Sequence, residues 1–445
     1  MSTLSKAMSQ VRNWGRIAPL VVPLLGTVGC GPEFDPPSKL QSLRVLAVKK
    51  DNPYLSPNAL SAHMTLAMED ARREEDKLHL DVDTPRPLQK LWFGGCNNPF
   101  NDNYFGCLIP VWLSFRAFTE LGPGALADGT SWSIKDIPQT LASAQKVNDF
   151  LSAVFPGYSD SGGSQISGPN GETIDSQALQ DQAYALKIGA GDTFDYDVPD
   201  WVLKQHPPST DRDLPPYGLS QVFLAVCDGE IGLSPDWKQN VDPLATLTDA
   251  TRGFPLTCYD PVTKKERGPD NFMVSYSNLY VYETIKNNNP VVAGFLMDDK
   301  PVDKTAVCVG DRCVGMDESF LCDAENKTTP RAKLCQPGGA SDCKEFTIKP
   351  DLVKADNSEV DVVASTVGGG NAQLSEQMWI RYYADEGKIG NDAKRLQDAT
   401  EGWFDEHGTT WTAPSAGLGL HHIWSVVYDN RGGVDWARVS VCVEE

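Results

Sequence analysis

"GLSQVFLAVCD" (residues 218–228) and "GLHHIWSVVYD" (residues 419–429) are one pattern written twice. Aligned without a gap, both carry Gly-Leu, two polar positions, a β-branched residue, an aromatic, a variable position, a small or branched apolar residue, Val, a variable position and Asp. Each follows a proline (Pro216, Pro414) and runs into a glycine-bearing turn, "GEIG" or "NRGG". Side chains alternate between the faces of a strand. The second copy therefore predicts Trp424, Val426 and Tyr428 on one face and Ile423, Ser425 and Val427 on the other. The stretch "DNRGG" supplies Asn and Gly suited to positive backbone φ, and "VDWARVSVCVE" resumes alternation with Val439, Val441 and Val443 on one face, so a β-hairpin closes the chain.

Two strands alone do not persist in water, so partners are required. In the second half they are "NPVVAGFLMDD" (289–299) as the opening strand, "FTIKPD", "EVDVVAST", and "EQMWIRYYADEGKI" (376–389), whose Trp379 is expected in the core. The echo implies an equivalent unit upstream, with "LRVLAVKKD" (43–51) opening it, "LIPVWLSFRAF" (108–118) in the middle and "QVFLAVCDG" near its end. The 38 glycines and 31 prolines divide the chain into short elements. The fold class expected is mainly all-β: two immunoglobulin-like antiparallel β-sandwich units with long irregular loops and a disulfide-rich insertion. The boundaries read as residues 42–285 for an N-terminal sandwich-like domain with long insertions, and 286–445 for a C-terminal immunoglobulin-like domain with a cysteine-rich insertion at 305–345.

Between the strand patterns, "SDSGGSQISGPNGETIDSQ" (159–177) reads as a long surface loop and "KQHPPSTDRDLPPY" (204–217) as an extended connection. The segment "PQTLASAQKVNDFLSAVF" (138–155) spaces Leu141, Val147, Phe150, Leu151 and Val154 as one face of a helix.

The compartment is written at the start of the chain. Residues 1–16 hold Lys6, Arg12 and Arg16 with no acid, and lead into the apolar run "IAPLVVPLLGTVG" (17–29) ending at Cys30. That is the layout of a secretory signal. The run is interrupted by Pro19 and Pro23 and falls short of the roughly 20 residues a bilayer-spanning helix needs. Thr27 and Gly29 before the cysteine, Gly31 after it and the tether "PEFDPPSK" resemble a bacterial lipoprotein signal, cleaved before a cysteine that becomes acylated. Residues 1–29 are then the signal peptide, 30–41 the tether, and Cys30 the lipidation site that partners the lipid bilayer. The localisation expected is the outer membrane, lipid-anchored.

Without Cys30, ten cysteines remain: Cys96, Cys107, Cys227, Cys258, Cys308, Cys313, Cys322, Cys335, Cys343 and Cys442. An even number in an exported chain favours disulfides. Cys96 with Cys107 and Cys227 with Cys258 are the expected local pairs, and the dense cluster "CVGDRCVGMDESFLCDAENKTTPRAKLCQPGGASDC" (308–343) is expected to tie back Cys442. A zinc reading fails on spacing, because the chain has no CxxC pair and no histidine between residues 207 and 406.

Charge bounds the partners. The chain holds 39 Lys and Arg against 60 Asp and Glu; residues 1–29 carry three of the basic residues and no acid, so the exported part has a formal charge of −24. Such a surface without basic runs disfavours nucleic acid.

At this point "LRVLAV" shortly after the cysteine, "PYGLSQVFLAVCDG", "GFPLTCYD", "NNNPVVAGF" and "WSVVYDNRGGVDWARVSV" together resemble large predicted lipoproteins of myxobacteria and their relatives. The resemblance spans most of the mature chain. It implies an envelope lipoprotein with immunoglobulin-like modules, and it supplies no catalytic residues.

Catalytic signatures are missing from the sequence: there is no GxSxG elbow, P-loop, HExxH or dinucleotide GxGxxG. "SAQK" (143–146) matches only the four-residue core of a serine-lysine acylase motif, without SDN or KTG. Neighbouring His421 and His422 point to opposite faces of their strand and cannot share a metal. Asp192, Asp195, Asp197 and Asp200 lack EF-hand regularity and read as solvated acids on a strand edge. Glu406 and His407 read as exposed turn residues. No cofactor and no metal are expected. Trp112, Trp132, Trp201 and Trp237 are expected mostly in cores, with a sugar platform as the alternative. The function expected is a membrane-anchored envelope lipoprotein, non-enzymatic, with a structural or protein-binding role; the alternative is a glycan-binding lipoprotein or a cell-envelope hydrolase. Partners beyond the bilayer are accordingly an envelope protein or a glycan.

Overall fold

Fourteen strands of a computed structural model, seven in each half of the chain, form two sandwiches of the same topology. The structure describes residues 37–445 except 73–75, 79–86, 99–106, 109–110, 113, 206–214, 239–252, 303–320, 324–328, 337–342, 368–372 and, apart from 131–133, 166–167 and 173–174, residues 116–184. In the first half the strands are β1 Leu43–Lys50, β2 Ser61–Asp70, β3 Gln89–Asn97, β4 Lys187–Ala190, β5 Thr193–Asp197, β6 Tyr217–Cys227 and β7 Phe272–Tyr282. In the second half they are β8 Val292–Met297, β9 Glu345–Leu352, β10 Met378–Ala384, β11 Ala393–Asp398, β12 Thr409–Thr412, β13 Gly419–Asp429 and β14 Val434–Glu444.

The sheet orders coincide. One sheet of the first half runs β1-β2-β5, and the other contains β7-β6-β3-β4. The second half repeats this as β8-β9-β12 and β14-β13-β10-β11. First, second and fifth strands against seventh, sixth, third and fourth is the immunoglobulin arrangement. Even the extra strands correspond: Tyr54–Leu55 pairs in parallel with β7, and Arg331–Lys333 pairs in parallel with β14. The echoed stretches are therefore the sixth strand of each sandwich.

Their burial matches position by position. Val222, Leu224 and Val226 enter the first sandwich core with Leu43, Met64, Trp92 and Phe194. Ile423 and Val427 enter the second with Phe295, Ile348, Tyr382 and Trp411, and Ser425 between them is buried. The alternate residues Phe223, Ala225 and Cys227, and Trp424 and Val426, are also buried, on the opposite faces. A strand covered on both sides needs the near-continuous apolar run that both copies have.

What covers those outer faces differs. In the first half it is a hairpin of Glu230–Leu233 with Leu256–Tyr259, bridged by Cys227–Cys258, together with a helical segment carrying Val111 and Phe115. In the second half it is the first half itself: Leu40, Leu46, Ala47 and Ala67 pack on Trp424, Val426 and Val434. The molecule is thus four sheets deep, with β1 and β2 between two cores. Each buried Leu or Val at that contact contributes about 1.5–3 kcal/mol. Polar ties reinforce it: Tyr428 donates its hydroxyl hydrogen to the Leu46 carbonyl (2.9 Å), Trp424 Nε1 donates to Glu69 (2.9 Å), and Lys49 pairs with Asp435 (2.7 Å).

Two strand assignments and one burial expectation are corrected. "LIPVWLSFRAF" is helical where described, because Cys107, Val111 and Phe115, four residues apart, face the sheet from one side of a helix. "EVDVVAST" contains a helix, Val362–Val367, opened by Asp361, whose carboxylate accepts the Ala364 N–H (2.9 Å). Trp379 is 37 % exposed on the outer face of β10, and the fully buried tryptophan of this core is Trp411, from a strand of only four residues. The loop at 159–177 holds a short hairpin, Ile166–Ser167 with Thr173–Ile174. The predicted helix at 138–155 and the connection at 206–214 lie outside the described residues.

Candidate functional site

The expected site residues scatter. Cys30, Cys308, Cys313 and the "SAQK" stretch lie outside the described residues. All eight described cysteines are bridged: Cys96–Cys107, Cys227–Cys258, Cys322–Cys442 and Cys335–Cys343. The two local pairs and the tie from the cluster to Cys442 agree with the spacing argument. Each of the four aspartates has its own partner: Asp192 pairs with Lys90 (2.6 Å), Asp195 with His63 (2.7 Å), Asp197 with the Ser61 hydroxyl, and Asp200 with Lys204 (2.7 Å). Among the described residues no group of three or more His, Cys, Asp or Glu could hold a metal ion. Trp112 and Trp237 are buried against each other, ring centres 6.3 Å apart, and Trp201 packs on the first core.

The histidines divide as the pleat requires. His421 hydrogen-bonds the Gly417 carbonyl (3.1 Å) and faces Asp385 (3.5 Å); burial pushes its pKa down, but Asp385 outweighs that and the net shift is upward. His422 meets the Ser440 hydroxyl (3.1 Å), and Glu69, a carboxyl raised by burial, lies within electrostatic reach of the same ring. This grouping resembles a serine-histidine-acid relay, but Ser440 is 1 % exposed and no substrate could reach it. His407 is buried, not exposed as expected, because its turn closes the end of the core and its carbonyl accepts the Tyr382 hydroxyl (2.8 Å). Glu406 is exposed.

The densest polar cluster sits where the linker between the halves meets the last hairpin. Asp429, ending the echo, accepts N–H groups from Arg431 and Gly433 (both 2.7 Å) and the Asn287 amide (3.0 Å). Arg431 then reaches Glu359 and Glu376 (both 2.6 Å). Burial, opposed by Arg431, pushes the Glu376 carboxyl up to about 7. Asn289 donates to the Lys50 carbonyl (2.5 Å) and accepts the Val434 N–H (3.0 Å), stitching linker, first strand and last hairpin together. Lys50 is buried and donates to the Asn278 carbonyl (2.9 Å); burial, opposed by the charge of Asp429, lowers its ammonium to about 8. The first half answers with Asp228, which accepts from Arg72 (2.6 Å), Arg267 (3.2 Å) and the Leu78 N–H (3.0 Å). In both places buried arginine guanidinium groups are paired with carboxylates.

One open concavity lies elsewhere. A groove of about 410 Å³ runs over the outer face of β10 and β11, lined among others by Trp379, Arg381, Lys394, Arg395 and Gln397. Trp379 stacks on Tyr428, ring centres 6.0 Å apart and planes 22° from parallel. Sequence reasoning missed this site by assigning Trp379 to the core. The available signal was alternation: Met378, Ile380 and Tyr382 are the apolar inward set, which leaves Trp379 and Arg381 outside.

No family model matches the chain, and no curated protein matches it. Among solved structures, latent PorU from Porphyromonas gingivalis aligns at 10 % identity and a TM-score of 0.16, over 91 % of this chain and 24 % of that one, so the chain spans about a quarter of its length. The C-terminal domain of the antigen I/II polypeptide BspA of Streptococcus agalactiae aligns at 9 % identity and a TM-score of 0.15, covering 89 % of this chain and 99 % of that one. The C-terminal domain of the antigen I/II-family protein AspA of Streptococcus pyogenes gives 8 % identity and 0.15, covering 91 % and 100 %. The fold assignment rests on the strand order and register, not on these likenesses.

Proposed function

We propose that this chain is an exported envelope lipoprotein, held on the outer membrane through acylated Cys30, with a non-catalytic structural or protein-binding role. The observation that carries the reading is the pairing of all eight described cysteines into four bridges. Such bridges persist in oxidising compartments and are rare in a reducing cytosol. The basic, then apolar, then Cys30 order at the start supplies the route out and the anchor. The four-sheet body favours a scaffold, since the buried arginines Arg72 and Arg431 are paired with carboxylates and the two halves pack face to face.

Membrane fractionation of cells expressing the full chain tests the anchor. The native chain is expected in the membrane fraction with a diacylglyceryl mass on Cys30, and Cys30→Ser in the soluble fraction. An unmodified amino terminus with free thiols would sink the proposal. A general hydrolase screen of the same material tests the non-catalytic part: turnover lost in a single acid, serine or histidine variant would replace this reading with that of an envelope hydrolase.

A further inference from the structure

The groove over β10 and β11 combines features that a solvated sheet face does not need. Trp379 stands exposed yet is not loose, because Tyr428 backs its ring and is itself tied to the Leu46 carbonyl. An exposed, braced indole is a preformed stacking platform. On the same face, Arg381 makes no ion pair among the described residues, in a chain whose formal charge is −21. Arg395 is already committed: it pairs with Asp398 (3.0 Å) and lies over the Phe404 ring at 5.8 Å. Asp398 in turn spends its other oxygen on the N–H groups of Thr400 (3.0 Å) and Glu401 (3.3 Å) and on the Thr400 hydroxyl (2.8 Å), so the acid of the groove is occupied. Gln397, which also lines the groove, is buried with both amide atoms unpartnered. An unpaired buried amide is a costly feature that asks for an explanation.

The ligand these groups fit has a ring with an apolar face, one carboxylate and several hydroxyls. We propose that the groove binds a carboxylated sugar, a uronic acid unit of an acidic glycan, with Trp379 under the pyranose ring and Arg381 on the carboxylate. The C–H hydrogens of a pyranose face suit the negative face of an indole. A guanidinium pairs a carboxylate with two parallel hydrogen bonds, and the groove volume falls in the range of about 300–1,000 Å³ usual for small-ligand sites. An acidic peptide offers the carboxylates without the ring. A nucleic acid offers ring and charge, but its run of phosphates is disfavoured by a chain of formal charge −21.

Isothermal titration of the full chain in detergent with trigalacturonate, with the neutral galactose trimer, with triglutamate and with a thymidine trinucleotide tests this. Trigalacturonate is expected to bind, the other three about tenfold or more weaker, and Trp379→Ala and Arg381→Gln are each expected to weaken trigalacturonate about tenfold. Both positions are on the surface, and far-UV circular dichroism identifies any variant that fails to fold, in which case the other carries the test. Absence of trigalacturonate binding at roughly 1 mM, equal binding of triglutamate or the trinucleotide, or native affinity in folded Trp379→Ala and Arg381→Gln would each overturn the assignment.

Discussion

Asp228 and Asp429 end the same strand in two copies of one fold, yet they hold different things. Asp228 is the centre of an ion pair network: Arg72 and Arg267 converge on it, and Asn271 bridges the two guanidinium groups. Asp429 is the acceptor of a tight turn, with two backbone N–H groups on one oxygen and Asn287 on the other. The difference follows from what lies between the sixth and seventh strands. In the second half four residues separate β13 from β14, so the aspartate caps its own hairpin. In the first half the inserted hairpin fills that interval, and the aspartate anchors it to β2 through Arg72. The two positions thus share the role of a buried acceptor while the local connection decides which groups donate to it.

Disulfides break the comparison most strongly. Cys322–Cys442 closes a span of 120 residues in the second half and Cys227–Cys258 a span of 31 in the first. Loop-closure entropy puts the double serine variant of the former at about 5 kcal/mol lost and of the latter at about 4, read by denaturant unfolding. Next come the aspartates themselves. Asp228→Ala strands buried Arg72 with one acidic partner fewer and is expected to lose about 3–5 kcal/mol. Asp429→Ala leaves two N–H groups without an acceptor and is expected to lose about 2–3 kcal/mol.

Asparagine sharpens the contrast. Asp429→Asn keeps an oxygen for the turn and is expected to lose only about 1 kcal/mol, whereas Asp228→Asn removes the charge its arginines require and is expected to stay close to the alanine variant. Equal losses for the two asparagine variants would erase the distinction drawn here. A smaller effect separates the halves by pH. Burial raises Glu376, so its folded form holds a proton that the unfolded chain has released above the usual 4.5. Its stabilising contribution is present below that value and disappears as pH rises through about 7, and Glu376→Gln is expected to flatten that slope in a pH series of unfolding curves. Smallest is Trp379→Ala, on the surface, with a stability change within about 0.5 kcal/mol.

Much of the fold was legible because repetition carried information that single strands do not. The echo placed the sixth strand of each sandwich, and period-two alternation sorted residues 423–428 onto the correct faces. Disulfide pairing was legible where spacing was short or one cysteine stood apart from the cluster. Context-dependent features were not. Aromatic character alone cannot tell Trp411 in a core from Trp379 on a surface; only the apolar register of Met378, Ile380 and Tyr382 does. "LIPVWLSFRAF" and "EVDVVAST" have strand-like composition but answer to a helical spacing and a capping aspartate. The ionic junction was invisible because Glu376 and Arg431 are 55 residues apart in sequence and Lys50 comes from the first strand, reaching the field of Asp429 only through the fold.

The placement of β1 between two cores also bears on how the chain comes to be made. Leu46 and Tyr428, joined by one hydrogen bond, are 382 residues apart, so the first strand to be synthesised waits for the last hairpin before its second side is covered. Through nearly the whole of synthesis an apolar ribbon is open to misassociation, which makes the complete chain a condition for a covered first sandwich. Loss of the final two strands is then expected to unravel the amino-terminal half as well, giving one melting event instead of two.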